Sequence, residues 1–298
     1  MDSDRAAPTD DLIQPFHLNG REVRGRIIRL GSVAHAVLTR HALPPAAASL
    51  LGEAMALTAM MASAMKFNGI FTLQAQGDGP ASMLVADYRN GGDLRGYIRL
   101  SDSFDAARDT TADGLLGKGI LALTVDREGD SQRYQGTVEL EGDNLSSSAE
   151  YYFRQSDQVP SLFRLFAGRG PDGNWRVGGI MLQSLPRDPD EEKAKEDWNL
   201  AETLAATVKP QELLDPTLSP AELLYRLFHE DGVWLHDVTP VRDQCTCSAE
   251  RIAEVVQSFP EEEVRDLAVE TGNVSVDCQF CGRTYTLPLE NLIGDRTA

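Results

Sequence analysis

The sequence predicts an α+β protein. It has a mixed N-terminal domain of antiparallel sheets and helices over residues 1–187, a helical middle segment over 188–242, and a small cysteine-bearing module over 243–298. Three observations carry this reading. Short β-patterned runs follow one another across turn residues and are interrupted by helices, without the regular strand–helix alternation of a doubly wound parallel sheet. Composition shifts at Asp188–Asp197, where six acids stand against two lysines, as in a solvated linker or the start of a helix. All four cysteines fall at position 245 or later.

Taken in order, Val23–Leu30 and Val33–Leu38 read as strands joined at Gly31-Ser32. Pro44-Pro45 opens a helix to about Met65, proline being favoured in a first turn. Ile70–Gln76 and Ser82–Tyr88 flank a hairpin turn at Gly77-Asp78-Gly79-Pro80. Leu94–Leu100, Ile120–Val125 and Tyr134–Leu140 are further strands. Ser147, with Glu150 three residues on, reads as a capping box for a short helix, and Trp175–Leu185 returns as a strand.

In the middle segment two helices are expected, about Trp198–Val208 and Pro220–His229. The second has Ser219 as N-cap, Pro220 in first position, Glu222 in third and Gly232 past its end. Leu223, Leu224, Leu227 and Phe228 fall on one face of it. Such helices cannot build a core of their own and must lie on a neighbouring domain. Trp198 and Trp234, flanking the segment, read as packing anchors. In the last module Ser248 caps a helix from about Ala249 to Gln257, and Pro260 opens another that ends near Gly272. Val274–Asp277 and Thr284–Leu287 are short strands around a knuckle at Cys278–Gly282.

Bulk properties narrow the function. At 298 residues there is room for two domains, one with a substantial core. The composition, 42% hydrophobic and 25% charged, is that of an ordinary soluble protein. A net charge of −18 opposes binding to nucleic acid, whose phosphates must be neutralised by Lys and Arg, and to an anionic membrane. The first residues are acidic and lack the apolar core of a signal peptide. The apolar helix at Pro45–Met65 contains Glu53 and is followed by Lys66, so it reads as a buried helix rather than a membrane span. The expected location is a reducing cytoplasm, where clustered thiols mean metal or redox chemistry. No nucleophile elbow or phosphate-cradling loop is found. Met55, Met60, Met61 and Met65 load one helix with adaptable side chains, read first as core.

The cysteines form two tight pairs, Cys245-Thr246-Cys247 and Cys278-Gln279-Phe280-Cys281. Four thiols gathered this way point to one tetrahedral thiolate site, expected to hold zinc. Residues 248–277 leave room for two helices to fold back and bring the pairs together, although the CxC pair and this gap fit a generic zinc ribbon imperfectly. His229 and His236 are reserve ligands. Four protein ligands leave no open position, so the site is structural rather than hydrolytic. Structural zinc supplies about 10–16 kcal/mol to small zinc peptides, so metal loss is expected to unfold the module. Cys247 precedes a helix start, where the dipole favours thiolate. Cys278 and Cys281 can close a CxxC disulfide, whereas Cys245 and Cys247 could close only a small strained ring, a more oxidising couple.

These motifs resemble those of the heat-shock protein 33 family of redox-regulated holdase chaperones. The resemblance extends upstream to Leu51-Gly52-Glu53-Ala54, Lys66-Phe67, Leu73–Pro80, Leu94–Tyr97 and Leu218–His229. It implies that the reduced protein is an inactive monomer with one zinc on Cys245, Cys247, Cys278 and Cys281. It further implies that oxidation forms disulfides 245–247 and 278–281 and expels zinc. The module and the middle segment then unfold, and the protein, now prone to dimerise, holds unfolding clients without ATP. Thr246 departs from the charged residue common at that position. Two other classes compete: a thiol–disulfide oxidoreductase using Cys278 and Cys281, and a zinc adaptor binding protein or nucleic acid.

Overall fold

The structure, a computed structural model, describes residues 10–129, 133–140, 144–185, 191–268 and 272–293. The chain divides into two compact units, Met1–Asp243 and Gln244–Ala298.

The first unit is built on two sheets and the helix between them. Strands β1 (Leu12–Leu18), β2 (Val23–Leu30), β3 (Gly69–Gly77), β4 (Ala81–Arg89), β5 (Asp93–Leu100), β6 (Gly119–Arg127), β7 (Tyr134–Glu139), β8 (Ser161–Arg169) and β9 (Trp175–Ser184) are its long strands. Three short ones follow, β10 (Val233–Leu235), β11 (Thr239–Pro240) and β12 (Arg242–Asp243). One antiparallel sheet runs β10-β1-β2-β9-β8, with β11 also paired to β1. The other runs β12-β5-β4-β3-β6-β7, antiparallel except at the β12 edge.

Helix α1 (Ser32–Arg40) lies where a strand is expected at Val33–Leu38. The apolar pairs Val33-Ala34 and Val37-Leu38 are buried on one helical face, and over so few residues that pattern resembles a strand. The start signal is remote. The Asp11 carboxylate accepts from the backbone N–H groups of Gly31 (2.9 Å), Ser32 (3.1 Å) and Val33 (3.1 Å), satisfying the orphan donors of the first turn from twenty residues upstream.

Helix α2 (Pro45–Ala64) begins at Pro45 as expected, and fifteen of its twenty residues are buried. Both sheets pack on it, which is why it is apolar all round. Among the described residues it is the one helix long and apolar enough to cross a membrane, yet it is enclosed in the core. Burial, with repulsion from Asp113, pushes the Glu53 carboxyl up to about 8. Met55, Met60 and Met61 are core residues; Met65 is exposed.

Helix α3 (Leu145–Tyr152) is capped by Asn144, whose side chain accepts from Ser147 N–H at 3.0 Å. The expected Ser147/Glu150 box does not form, because Glu150 turns instead to the N–H of Phe163. Strands β1 and β8 and helix α5 carry no clear sequence signal and were not expected.

The middle segment belongs to this unit. Helices α4 (Glu191–Ala206), α5 (Pro210–Leu214) and α6 (Pro220–Phe228) lie on the face of the first sheet opposite α2. Ala201, Ala205, Leu213, Leu223, Leu224 and Phe228 pack there on Phe16, Leu18, Val23, Ile27, Ile180 and Leu182. Ile28, Val177 and Met181 of the same sheet point to the α2 core. Covered on both faces, β9 is buried from Trp175 to Gln183. The α6 capping box forms as expected. Leu227 is only partly buried on the apolar face, and α4 starts at Glu191, earlier than expected; Asp188–Asp190 lie outside the described residues. Trp198 packs on this cluster, but Trp234 is no anchor: it is 61% exposed and stacks on His17.

Arginines pin the segment. Arg21 pairs with Asp197 of α4 and with Asp231 beyond α6. Arg29, 1% exposed, donates to the carbonyls of Glu212 and Asp215.

The second unit contains helices α7 (Ala249–Gln257) and α8 (Glu261–Asp266) and the hairpin β13 (Asn273–Asp277) and β14 (Thr284–Pro288). α8 ends at Asp266, short of the expected Gly272. Among the described residues, the buried apolar core is Val256, Val264, Val274 and Leu292.

Candidate metal centre

Two local structures deliver the thiols. The first pair sits just before α7. Ser248 caps that helix by accepting from Arg251 N–H at 3.3 Å, and Arg251 Nη1 reaches back to the carbonyl of Thr246 at 2.8 Å. The second pair lies in the turn between β13 and β14. There Gly282 N–H donates to Cys278 O at 2.8 Å and Cys278 N–H to Arg283 O at 2.9 Å. Gly282 has φ of +68°, a left-handed conformation that glycine adopts without penalty.

The Sγ atoms of Cys245, Cys247, Cys278 and Cys281 all lie within 4.8 Å of one another. Cys245 Sγ to Cys278 Sγ is 3.8 Å and Cys247 Sγ to Cys281 Sγ is 3.4 Å. A tetrahedral ion with Zn–S bonds of about 2.3 Å requires S···S edges of about 3.8 Å. The donor set therefore fits zinc in number, chemistry and spacing. Cys278 is buried and the other three are partly so. His229 and His236 do not join the cluster. His236 Nε2 lies 2.9 Å from His17 Nδ1, and His229 lies against the Tyr225 ring.

Without a cation the Cys247 and Cys281 thiols are driven in opposite directions. Burial raises the Cys247 thiol, but hydrogen bonds from Tyr285 and the neighbouring thiols outweigh it and bring Cys247 down to about 7. Burial pushes Cys281 up to about 12, with Cys247 and Cys278 adding to the rise. One thiolate forms readily and the next is opposed by its charge, which a divalent cation would relieve. Sequence reasoning missed Arg251 and Tyr285, whose hydroxyl lies 3.1 Å from Cys247 Sγ. Neither forms part of a recognisable motif.

Fold and site together define a class: a cysteine-free two-sheet body followed by a small unit that gathers four thiols in a metal-binding arrangement. The comparisons make the assignment specific. The Hsp33 protein family model matches residues 11–288. A 33 kDa chaperonin of Caulobacter vibrioides is 42% identical over 286 residues, covering 93% of this chain and 95% of the relative. One from Pseudomonas putida is 40% identical over 281 residues, covering 93% and 91%. The crystal structure of the Thermotoga maritima 33 kDa chaperonin, a heat shock protein 33 homologue, superposes with a TM-score of 0.80 at 24% identity, covering 95% of this chain and 96% of the other. The chain belongs to the Hsp33 family, a chaperone family whose members are named as chaperonins rather than enzymes.

Proposed function

We propose that this chain is a redox-regulated, ATP-independent holdase, switched on by oxidation of a four-cysteine zinc centre and protecting unfolding proteins in the cytoplasm under oxidative stress. The observation that carries the proposal is the meeting of four sulfurs within 4.8 Å in a unit whose buried apolar core, among the described residues, is Val256, Val264, Val274 and Leu292. So small a core leaves the fold dependent on the metal.

In the reduced state Cys245, Cys247, Cys278 and Cys281 hold one zinc, which cross-links the CxC segment to the β13–β14 hairpin. Peroxide oxidises a thiolate pair: two thiolates surrender two electrons, one S–S bond forms, and with two protons the peroxide becomes two waters. Pairing 245–247 and 278–281 uses partners close in sequence. Such bonds leave the hairpin and the α7 end uncoupled once the metal is released. Residues 188–242 act as a metastable linker, because their helices keep their fold only while docked on the first sheet. Loss of the second unit loosens them through the chain at 233–243, exposing apolar surface for unfolded clients and for a second copy; the reduced protein is a monomer and the oxidised one dimerises.

An oxidoreductase would place its CxxC at a strand-to-helix junction, whereas Cys278 and Cys281 sit in a β-hairpin turn. An adaptor for nucleic acid is opposed by Glu261, Glu262, Glu263 and Asp266 on α8. The deciding experiment measures zinc content and suppression of client aggregation before and after peroxide at raised temperature. One zinc and no holdase activity when reduced, then no zinc and activity when oxidised, is expected. Equal activity in both states, or insulin reduction by the reduced form, overturns the proposal.

A further inference from the structure

We infer that Tyr285 is a positioning residue that sets how readily the cysteine cluster surrenders its metal, by donating its hydroxyl hydrogen to Cys247 Sγ. The inference rests on the reading of the cluster as a metal centre. The Oη–Sγ separation is 3.1 Å. Tyr285 lies on β14 directly across from Val276 of β13, so the register of the hairpin that presents Cys278 also fixes where the phenol stands. Its direction is set as well. Arg283 Nη1 lies 3.5 Å from the phenol oxygen. A guanidinium only donates, so the oxygen accepts from Arg283 and its own hydrogen is free to point at sulfur.

The two halves of the cluster are held unequally. Cys278 and Cys281 sit in a turn closed by backbone hydrogen bonds at both ends. The CxC segment is tied through the Arg251 contact to Thr246 O and the Ser248 cap. The phenol of Tyr285 is thus a side-chain link from the hairpin to the first pair.

The chemical consequence follows from where the thiolate's charge goes. A sulfur that accepts a hydrogen bond shares part of its negative charge with the donor. It still binds a cation, but it attacks an electrophilic oxidant less readily, because nucleophilicity follows thiolate electron density. Outer-shell partners that hold a metal ligand in place are worth about 10–100-fold in metal affinity. Tyr285 therefore holds the thiolate in place and slows its oxidation.

Tyr285→Phe keeps the ring and removes the hydroxyl. In full-length reduced protein, competition with a chromogenic chelator should show zinc bound about 10–100-fold more weakly, and peroxide should release it several-fold faster. Cobalt(II) loaded in place of zinc gives a readout that ring packing would not move: the sulfur-to-cobalt charge-transfer band should shift between wild type and Tyr285→Phe. Tyr285→Leu, which also removes the ring, separates packing from hydrogen bonding. If Tyr285→Phe matches wild type and only Tyr285→Leu differs, the hydroxyl has no such role. Should Tyr285→Phe fold poorly, a tyrosine fluorinated next to the hydroxyl at position 285, a stronger donor, should slow release, and an unchanged or faster rate overturns the inference. Failure of the wild type to bind either metal would instead bring down the metal-centre reading, and this inference with it.

Discussion

The two units of this chain are built differently. The first encloses α2 between two sheets, with a continuous core from Ile13 to Val241. The second has Val256, Val264, Val274 and Leu292 fully buried, ringed by partly buried neighbours, and four thiols at metal-binding distance. Apolar burial is lost only when packed elements separate, whereas thiolate ligation is lost to a two-electron chemical event. A protein that joins the two can lose one part on oxidation while the other persists.

The largest effect should come from removing the metal. Chelation of reduced protein, or Cys278→Ser, takes away a contribution of about 10–16 kcal/mol. Hydrogen exchange should then show α7 and the β13–β14 hairpin unprotected while β3, β4 and α2 stay protected. Retained protection in α7 after complete metal removal would erase the contrast between the units.

A second effect concerns the docked segment. Leu223 is fully buried and Leu227 only partly so. Leu223→Glu leaves an unpaired carboxylate inside the contact and should cost about 3–5 kcal/mol, with Leu227→Glu costing less. The reduced, zinc-bound Leu223→Glu protein should suppress client aggregation without oxidant. A variant loosened in α6, still zinc-bound and inactive, would show that release of this segment is not what exposes the client surface.

Arg29→Met is a milder probe. It strands the carbonyls of Glu212 and Asp215 and should cost about 1–3 kcal/mol, read as faster exchange confined to α5 and its flanks.

Elements with local signals were legible in the sequence. Pro45 at the start of α2, the Gly77–Pro80 turn and the Ser219/Glu222 box each act within a few residues of the structure they specify. Helix α1 was misread because its cap, Asp11, comes from just before β1, and the cap of α3, though not the helix itself, because Glu150 is drawn to the distant Phe163 N–H. The four cysteines were legible as a group because a tetrahedral thiolate site needs four soft donors that a chain supplies most simply as two pairs. Tyr285 was not, since an outer-shell hydroxyl is recruited by hairpin register and leaves no spacing rule.

The first sheet has one more consequence. Phe16, Leu18, Val23, Ile27, Ile180 and Leu182 form an apolar face that the chain covers with its own α4–α6. That cover is a tethered ligand, present at an effective concentration of order millimolar whatever the dilution of the protein. Any client that binds this face must outcompete a neighbour that cannot diffuse away, and must yield the site when that neighbour refolds. Capture and release would then be two directions of one exchange between free and tethered occupants, with no nucleotide needed to drive either.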